Sequence, residues 1–314
     1  MEIPITCKGV KANYKQEKMA LGGPIKFSFI LNENNNDYTI SINQYIVRMI
    51  KIESSKEIST TDLYNVLLTL EKLLMLFEGH FININSLKFY DSNNDNDSSL
   101  VKVSEKFLVQ RLHTFKSMDL CFLYNSQLVE YNISLSSKLF FDFEQLMNEI
   151  YTIHQTYLSA IQESWQYVDI RCAFLIELAE SLVDLLKDRL NIFPELQPGK
   201  TGKNGTSLKM CLKSIIVTYG KDIFSKEMEN DFEEILSCMV NTRVNVLHIR
   251  KNRKEPFLNG EECALYICKL SLLYRKILLI ILGFSEEELS IKSKSYIHSL
   301  NKWNDILYKF LLKL

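Results

Sequence analysis

The spacing of apolar residues changes about 135 residues into the chain, and this change most constrains the fold. Before it, β-branched and aromatic residues alternate in short runs at residues 24–31, 38–43 and 45–52. Such alternation is typical of half-buried strands. From about Leu139 onward, apolar residues recur at three- and four-residue spacing, which is typical of amphipathic helices. The sequence therefore predicts an α+β protein, with a mainly antiparallel β domain at residues 1–135 and an all-α helical bundle at residues 136–314.

The first part also contains signals for a helix. Residues 59–62 offer N-cap side chains, apolar residues recur at helical spacing from Leu63 to Leu74, and Gly79 can end the helix. A hairpin loop is predicted at residues 32–37 and a further strand at residues 81–90. The β domain should therefore be a sheet with one or two packed helices.

The second part predicts a series of helices separated by short connections. Their expected positions are residues 140–150, 168–190, 207–217, 229–247 and 260–282, then a helix start at 285–288 and a last helix at 299–314. The strongest loop signal lies at residues 194–205, which contain Pro198-Gly-Lys-Thr-Gly-Lys-Asn-Gly205. This segment lacks the G-x-x-x-x-G-K-[ST] pattern and follows a helix, so a solvated connector is favoured over a phosphate cradle.

Composition excludes several classes of protein. A formal net charge of −1 argues against a protein that coats nucleic acid or an anionic membrane, so any anion site must be a local patch. Seven scattered cysteines without a C-x-x-C pair indicate reduced thiols in a cytoplasmic protein, with neither a disulfide framework nor a zinc site. The N-terminus has no signal-peptide pattern, and the most apolar run, residues 277–282, is too short to span a bilayer.

The best candidate for a chemical site lies near the end of the helix predicted at residues 229–247. Arg243 precedes His248 by five residues, Asn245 lies between them, and Asn241 lies just before. Arginine supplies a permanent cation that suits phosphate, and histidine can move a proton near pH 7. The structural alternative is that Arg243 forms a salt bridge and that His248 stabilises the C-terminus of a helix.

A local basic patch is also predicted around this pair. The run Arg250, Lys251, Arg253 and Lys254 follows His248 directly, and it is the candidate RNA-binding segment. Residues 241–276 hold eight Lys or Arg against three acidic residues. A solvated loop is the alternative for this run, and contact with phosphate is about equally favoured.

These residue types fit the cleavage of RNA without a metal ion. RNA carries its own nucleophile, the 2′-OH, which DNA lacks. His248 can take or give a proton, and the Arg243 fork can stabilise charge that grows on the phosphate oxygens. The five histidines lie far apart in the sequence and predict no metal site. Residues five apart on a regular helix point about 140° apart, so Arg243 and His248 converge only if the helix ends or bends between them or if two protomers share a cleft.

Several segments, in their order along the chain, resemble one known superfamily. They are residues 67–79 before a strand, Ala179-Glu-Ser-Leu182, Ser207-Leu-Lys-Met-Cys-Leu-Lys213, Asn241-Thr-Arg-Val-Asn-Val-Leu-His248, Gly260-Glu-Glu262 and Leu282-Gly-Phe-Ser-Glu-Glu287. In this order the chain looks like the HEPN superfamily, specifically the ApeA-like branch found in bacterial anti-phage defence proteins. The likeness covers about residues 60–290 and depends on order and spacing more than on identity.

The resemblance implies a function and a set of residues. Many HEPN domains are dimeric, metal-independent endoribonucleases in which R-x4–6-H motifs from two protomers meet in one cleft. Arg243 and His248 match the two ends of that motif. The polar residue that usually follows the arginine is Val244 here, and Asn245 comes one position later. Glu180 matches a glutamate of the long helix, and Asn241 would support the site.

Two functions are expected from this resemblance. The first is a homodimeric RNA endonuclease without a cofactor, a toxin-type effector of abortive infection that cuts RNA, with tRNA as one candidate. Its N-terminal domain would sense a trigger or restrain the nuclease. A phage-derived trigger or an inhibitory partner protein is the expected further partner. The second is a catalytically silent HEPN module that binds RNA, a nucleotide or a protein partner.

Overall fold

A computed structural model describes most of the chain, in twelve stretches that together form two compact units. The described residues are 6–15, 25–33, 36–44, 47–79, 82, 84–91, 98–112, 127–129, 135–161, 167–199, 205–248 and 255–311. The first unit holds a β-sheet with the helices around it, and the second holds the helices of the C-terminal part.

The first unit contains a five-stranded antiparallel sheet. Its strands are β1 (Thr6–Lys15), β2 (Ile25–Glu33), β3 (Asn36–Gln44), β4 (Val47–Ser59) and β5 (Ile84–Tyr90), in the order β2-β3-β4-β1-β5. The sequence predicted no strand at β1, where Lys8, Gly9 and Lys11 interrupt the apolar pattern. β1 nevertheless pairs with both β4 and β5.

One face of the sheet is apolar and buried. Ile40, Ile52, Val10 and Phe89 lie opposite one another in register across β3, β4, β1 and β5, and each is almost fully shielded from solvent. Facing residues in paired strands share a face of the sheet, so this row forms part of the core. β4 continues through the polar residues 53–57, beyond the strand predicted at 45–52, because it pairs with β1 as far as Ser59.

Three helices belong mainly to this unit: α1 (Thr60–Glu78), α2 (Ser98–Leu112) and α3 (Ser137–Glu149). The predicted N-cap of α1 is present, because the Asp62 backbone N–H donates to Ser59 Oγ at 3.1 Å. The Phe107 ring of α2 contacts Tyr64 of α1 and Phe89 of β5, at centroid distances of 4.3 and 5.6 Å. This aromatic cluster joins the helices to the edge of the sheet.

Among the described residues of the second unit, the regular secondary structure consists of helices joined by turns and short connections. Its helices are α4 (Tyr151–Ile161), α5 (Val168–Leu190), α6 (Leu208–Tyr219), α7 (Ser225–Glu229), α8 (Phe232–His248), α9 (Gly260–Ile281) and α10 (Glu286–Leu311). The bounds of α5 agree with the prediction. The separate helices predicted at 285–288 and 299–314 are one continuous helix up to Leu311, because Ser293, Tyr296, Ile297 and Leu300 continue a buried stripe between them.

α9 is the central helix of this unit. Nearly every residue from Cys263 to Leu279 is buried, including the charged residues Lys269, Arg275 and Lys276. Asn259 and Glu262 form a capping box at its start: Asn259 Oδ1 accepts from the Glu262 backbone, and Glu262 Oε2 accepts from the Asn259 backbone. α5 packs along α9, and α8 packs on α5.

These observations confirm the predicted α+β class, with an antiparallel sheet followed by a helical C-terminal part. The division into domains at residues 135 and 136 stays a prediction, and α3 lies mainly in the first compact unit. Among the helices in the described ranges, none combines the length and the apolar character needed to cross a bilayer.

Candidate functional site

Arg243 forms a two-pronged ion pair with Glu177. Arg243 lies on α8 and Glu177 on α5, and the packing of these helices brings the two side chains together. Arg243 Nη2 donates to Glu177 Oε1 at 2.9 Å, and Nε donates to Oε2. Both side chains remain partly accessible to solvent, at 25% for Arg243 and 39% for Glu177. Hydrogen bonding to Glu177 raises the pKa of Arg243 further above its usual value, so the guanidinium is permanently charged.

Glu180 lies one turn after Glu177 on the same helix and completes an acidic edge beside the guanidinium. Burial raises the pKa of Glu180, and the charge of Glu177 raises it further, whereas Arg243 opposes the shift. A carboxyl whose pKa is raised can hold or release a proton closer to neutral pH than an ordinary glutamate. Glu180, which the sequence named as a supporting residue, is therefore electrostatically coupled to Arg243.

Cys211 of α6 lies behind this edge and is buried. Burial, together with the negative charges of Glu180 and Asp184, raises the pKa of the Cys211 thiol to about 12. A thiol with such a pKa remains protonated at neutral pH and is a poor nucleophile. The chemistry of this region therefore depends on carboxylates and the guanidinium.

The polar side chains next to Arg243 are used for contacts within the fold. Asn241 Nδ2 donates to the Pro256 carbonyl at 2.9 Å. Thr242 Oγ1 accepts from the Leu258 backbone N–H at 2.9 Å and donates to the Cys238 carbonyl. Asn245 is buried. Asn241 and Thr242 thus fasten the segment before α9 to α8, and Asn245 points inward rather than toward the solvent beside Arg243.

The other predicted residues are located only in part. His248 is the last residue of α8, and its side chain lies outside what the structure describes. The candidate RNA-binding residues Arg250, Lys251, Arg253 and Lys254 also lie outside the described residues. The site residues predicted from the sequence therefore remain a prediction, to which the structure adds the surroundings of Arg243.

The regular course of α8 separates Arg243 from His248. The helix runs without interruption from Phe232 to His248, so it does not end between the two residues. On such a helix their Cα–Cβ directions differ by about 140°. Val244 and Leu247 occupy the sector between them, and Leu247 is 40% exposed.

The basic patch predicted over residues 241–276 is smaller than the sequence suggested. Lys269, Arg275 and Lys276 are all buried, and Lys269 and Lys276 pair with Glu227 and Asp222, respectively. Because these three residues lie on the buried helix α9, nucleic acid cannot reach them. Contact with phosphate in this region would depend on Arg243 and the run at 250–254.

Another histidine lies in a buried aromatic cluster of the same unit. His154 Nδ1 lies 3.2 Å from the Tyr274 hydroxyl, and the Tyr157 and Tyr274 rings stack at 4.1 Å. All three residues are essentially inaccessible to solvent. This cluster is a packing feature of the core, because no substrate could reach it in the folded protein.

Glu177 is the residue that sequence reasoning missed. Its position three residues before Glu180 puts both carboxylates on one face of α5, which was a usable signal.

Among the described residues, no group of three or more His, Cys, Asp or Glu side chains is arranged to hold a metal ion. Searches against protein-family models, curated proteins and solved structures find no match to this chain.

Proposed function

We propose that this protein is a homodimeric, metal-independent RNA endonuclease of the HEPN type, acting in the cytoplasm as a toxin-like effector of anti-phage defence. The observation that carries the proposal is the Arg243 guanidinium. It is held at the surface of the helical unit by Glu177, lies beside a carboxyl with a raised pKa, and is on the helix that ends at His248. The resemblance in segment order supplies the class of reaction.

Glu177 orients the arginine without using up its donors. A guanidinium has five N–H groups, and the pair with Glu177 engages one on Nε and one on Nη2. The remaining donors can bind non-bridging phosphate oxygens, and the fork that Glu177 fixes needs little reorganisation as charge develops there. Arg243 is therefore suited to stabilise the transition state, with Glu177 as a positioning residue.

In this proposal His248 transfers the protons. One histidine accepts the proton of the 2′-OH while a second, from the other protomer, gives a proton to the leaving 5′ oxygen. The 2′-oxygen forms a bond to phosphorus as the bond to the 5′-oxygen breaks, which leaves a 2′,3′-cyclic phosphate and a 5′-hydroxyl. Two protomers are needed because one chain supplies one His248, whereas the reaction uses one histidine as a base and one as an acid.

The test is cleavage of RNA by the purified full-length protein in the presence of EDTA. We expect fragments that end in 2′,3′-cyclic phosphate, and we expect Arg243→Ala and His248→Ala to lower the rate by at least about 10²-fold. Arg189→Ala and His298→Ala are matched controls, because these are exposed residues on α5 and α10 of the same unit. Intact RNA under all conditions, including exposure to phage lysate as a trigger, together with unchanged toxicity of the His248→Ala variant, would exclude the nuclease.

A catalytically silent binding module is the second candidate. Two observations favour it: Val244 follows Arg243 directly, and the displaced Asn245 is buried. Such a module would bind RNA, a nucleotide or a protein partner through Arg243 without cleaving anything. Cleavage that persists in EDTA and disappears in Arg243→Ala would rule it out.

A further inference from the structure

Three lysines form a row across the face of the sheet opposite the apolar core. Lys11 of β1 lies opposite Lys51 of β4 on one side and opposite Lys88 of β5 on the other. Residues that face each other in paired strands share a face, and neighbouring strands lie about 4.8 Å apart. Lys51, Lys11 and Lys88, here called the lysine row, therefore place three cations across about 10 Å of one surface.

This arrangement is unfavourable for the sheet on its own. Like charges directly opposite each other on paired strands destabilise a sheet. Glu53, 2.6 Å from Lys51 Nζ, balances one of the three cations. Lys88 is exposed and forms no ion pair with any described residue. Local conflicts of this kind are expected where a surface has a function.

Tyr90 of β5 lies across Gly9 of β1 and contacts two lysines of the row. The Tyr90 ring covers Gly9, where an added Cβ would come within 2.6 Å of the ring and 2.7 Å of the Ile52 carbonyl. Lys11 Nζ lies 4.5 Å from the centre of this ring and Lys51 Nζ 5.8 Å from it, distances that permit cation–π attraction. Glycine at position 9 is thus required for the tyrosine to organise two of the three lysines.

Glu53 is the anion of this cluster. Partial burial alone would raise its pKa, but hydrogen bonds from Lys51 and Tyr90 and the charges of Lys51 and Lys11 lower it overall. Glu53 is therefore ionised at neutral pH, and the cluster of three lysines and one glutamate has a net charge of about +2. Ser41, opposite Lys51, and Ser86, on β5, add hydroxyl groups to the same face.

We propose that the lysine row binds the phosphodiester backbone of single-stranded nucleic acid. Lys88 is exposed and Lys11 and Lys51 are partly exposed, so the row can meet an extended ligand along the surface, whereas small molecules prefer concave sites. A single line of cations matches one backbone, and serine hydroxyls can donate to phosphate oxygens. Tyr90 is 7% exposed and already covered by lysine, so the surface contacts backbone and not stacked bases. Binding is then independent of sequence and strongly dependent on salt.

This binding surface goes beyond the proposed nuclease and does not depend on it. The probe is therefore a fluorescein-labelled 20-mer of oligo(dT), which has no 2′-OH and cannot be cut by the proposed reaction. The affinity of the full-length protein is measured by fluorescence anisotropy between 50 and 300 mM salt. Because Glu53 balances Lys51, two phosphates are neutralised, and the slope of log K against log[salt] is expected to be about −1.4.

The decisive variant is Lys11→Gln combined with Lys88→Gln, which leaves the Lys51–Glu53 pair intact. Loss of both phosphate contacts should weaken binding about 25-fold at 0.1 M salt and flatten the slope to nearly zero. Lys102→Gln with Lys106→Gln is the matched control, because these are exposed lysines of α2 and the change in charge is the same. Lys11→Arg with Lys88→Arg should retain the affinity, since the charges remain.

Three results would overturn the proposal. The first is that the wild-type protein does not bind the oligonucleotide, although circular dichroism shows that the protein is folded. The second is equal weakening by the lysine-row variant and the α2 control, which would indicate a response to net charge alone. The third is binding to vesicles with 30% phosphatidylserine but not to oligo(dT), which would assign the surface to a membrane. Retained oligo(dT) binding by Arg243→Ala separates this surface from the nuclease site.

Discussion

Two glutamate–cation pairs in the helical unit have the same chemistry and opposite exposure. Glu227 and Lys269 form a pair whose side chains are both fully buried, with Lys269 Nζ 2.7 and 2.8 Å from the two carboxylate oxygens. Glu177 and Arg243 form a pair that is partly open to solvent. A buried pair has no donor available to a ligand, whereas the exposed guanidinium keeps donors beyond those that Glu177 uses. Exposure therefore decides which pair can take part in chemistry.

The buried pair is surrounded by further partners that fix its geometry. Asn304 Nδ2 of α10 donates to Glu227 Oε1 at 3.0 Å, and Lys269 Nζ lies 5.5 Å from the centre of the Phe224 ring. Burial lowers the pKa of Lys269, and the charge of Glu227 opposes that shift. The pair thus joins the short helix α7 to α9 and α10 in one polar cluster within an apolar core.

The largest expected effect comes from breaking the buried pair. Glu227→Ala should lower the free energy of unfolding by about 3–5 kcal/mol, because it leaves a buried ammonium without its counter-charge. Urea unfolding followed by tryptophan fluorescence measures this change, since Trp165 and Trp303 both lie in the C-terminal part of the chain. The double variant Glu227→Leu with Lys269→Met should be more stable than Glu227→Ala alone. A loss under about 1 kcal/mol in Glu227→Ala would contradict this account of the pair.

The exposed pair should show the reverse pattern, with little effect on stability and a large effect on function. Glu177→Gln should change the free energy of unfolding by less than about 1 kcal/mol, because the pair is accessible to solvent. If the proposed nuclease is correct, the same variant should lower the cleavage rate by on the order of 10²-fold through loss of the fixed Arg243 orientation. Gel-based cleavage rates and urea unfolding on one preparation separate the two effects.

Glu287→Gln provides the matched control for this prediction, since Glu287 is an exposed glutamate on α10. It should alter neither cleavage nor stability measurably. If Glu177→Gln lost stability as severely as Glu227→Ala, the distinction between a structural pair and a functional pair would fail. If cleavage were unaffected by Glu177→Gln, Glu177 would have no positioning role.

The smallest expected effect concerns Glu180 and pH. The folded state raises the pKa of Glu180, so it binds the proton more tightly than the unfolded chain does, and stability falls as pH rises from the ordinary glutamate range through the raised value. Glu180→Gln removes this loss. The variant should therefore be slightly more stable than wild type at pH 7, and the difference should vanish near pH 4. Thermal melts at both pH values test this sign, and a variant that is less stable at pH 7 would contradict it.

The fold was predictable wherever one local signal dominated. The helix predicted at residues 168–190 has the predicted bounds, because its apolar spacing is long and regular. β1 was missed because Lys8, Gly9 and Lys11 make it look polar, although β4 and β5 pair with it on both sides. Propensity reports local preference, whereas the position of a strand within a sheet depends on its partners.

The candidate site was predictable only in part. The sequence named Arg243 and Glu180, and these residues interact electrostatically across α5 and α8. It could not name Glu177 as the partner of Arg243, because 66 residues separate them and helix packing alone brings them together. The same limit explains why Lys269, Arg275 and Lys276 were expected on a basic surface: the sequence does not show that α9 is buried on all sides.

The sequence by itself determined the class of this protein: periods of two and of 3.6 residues divide the chain into a β-rich part and a helical part. It also determined which ionisable residues were present for chemistry. Only the tertiary structure decided their roles, because similar charged groups have different surroundings. Glu227 belongs to a buried ion pair, Arg243 to an accessible one, and Lys11 to a row of cations on the sheet. The reason is physical: the free energy of a charge depends on its solvent and its neighbours, and both are set by contacts between residues distant in sequence.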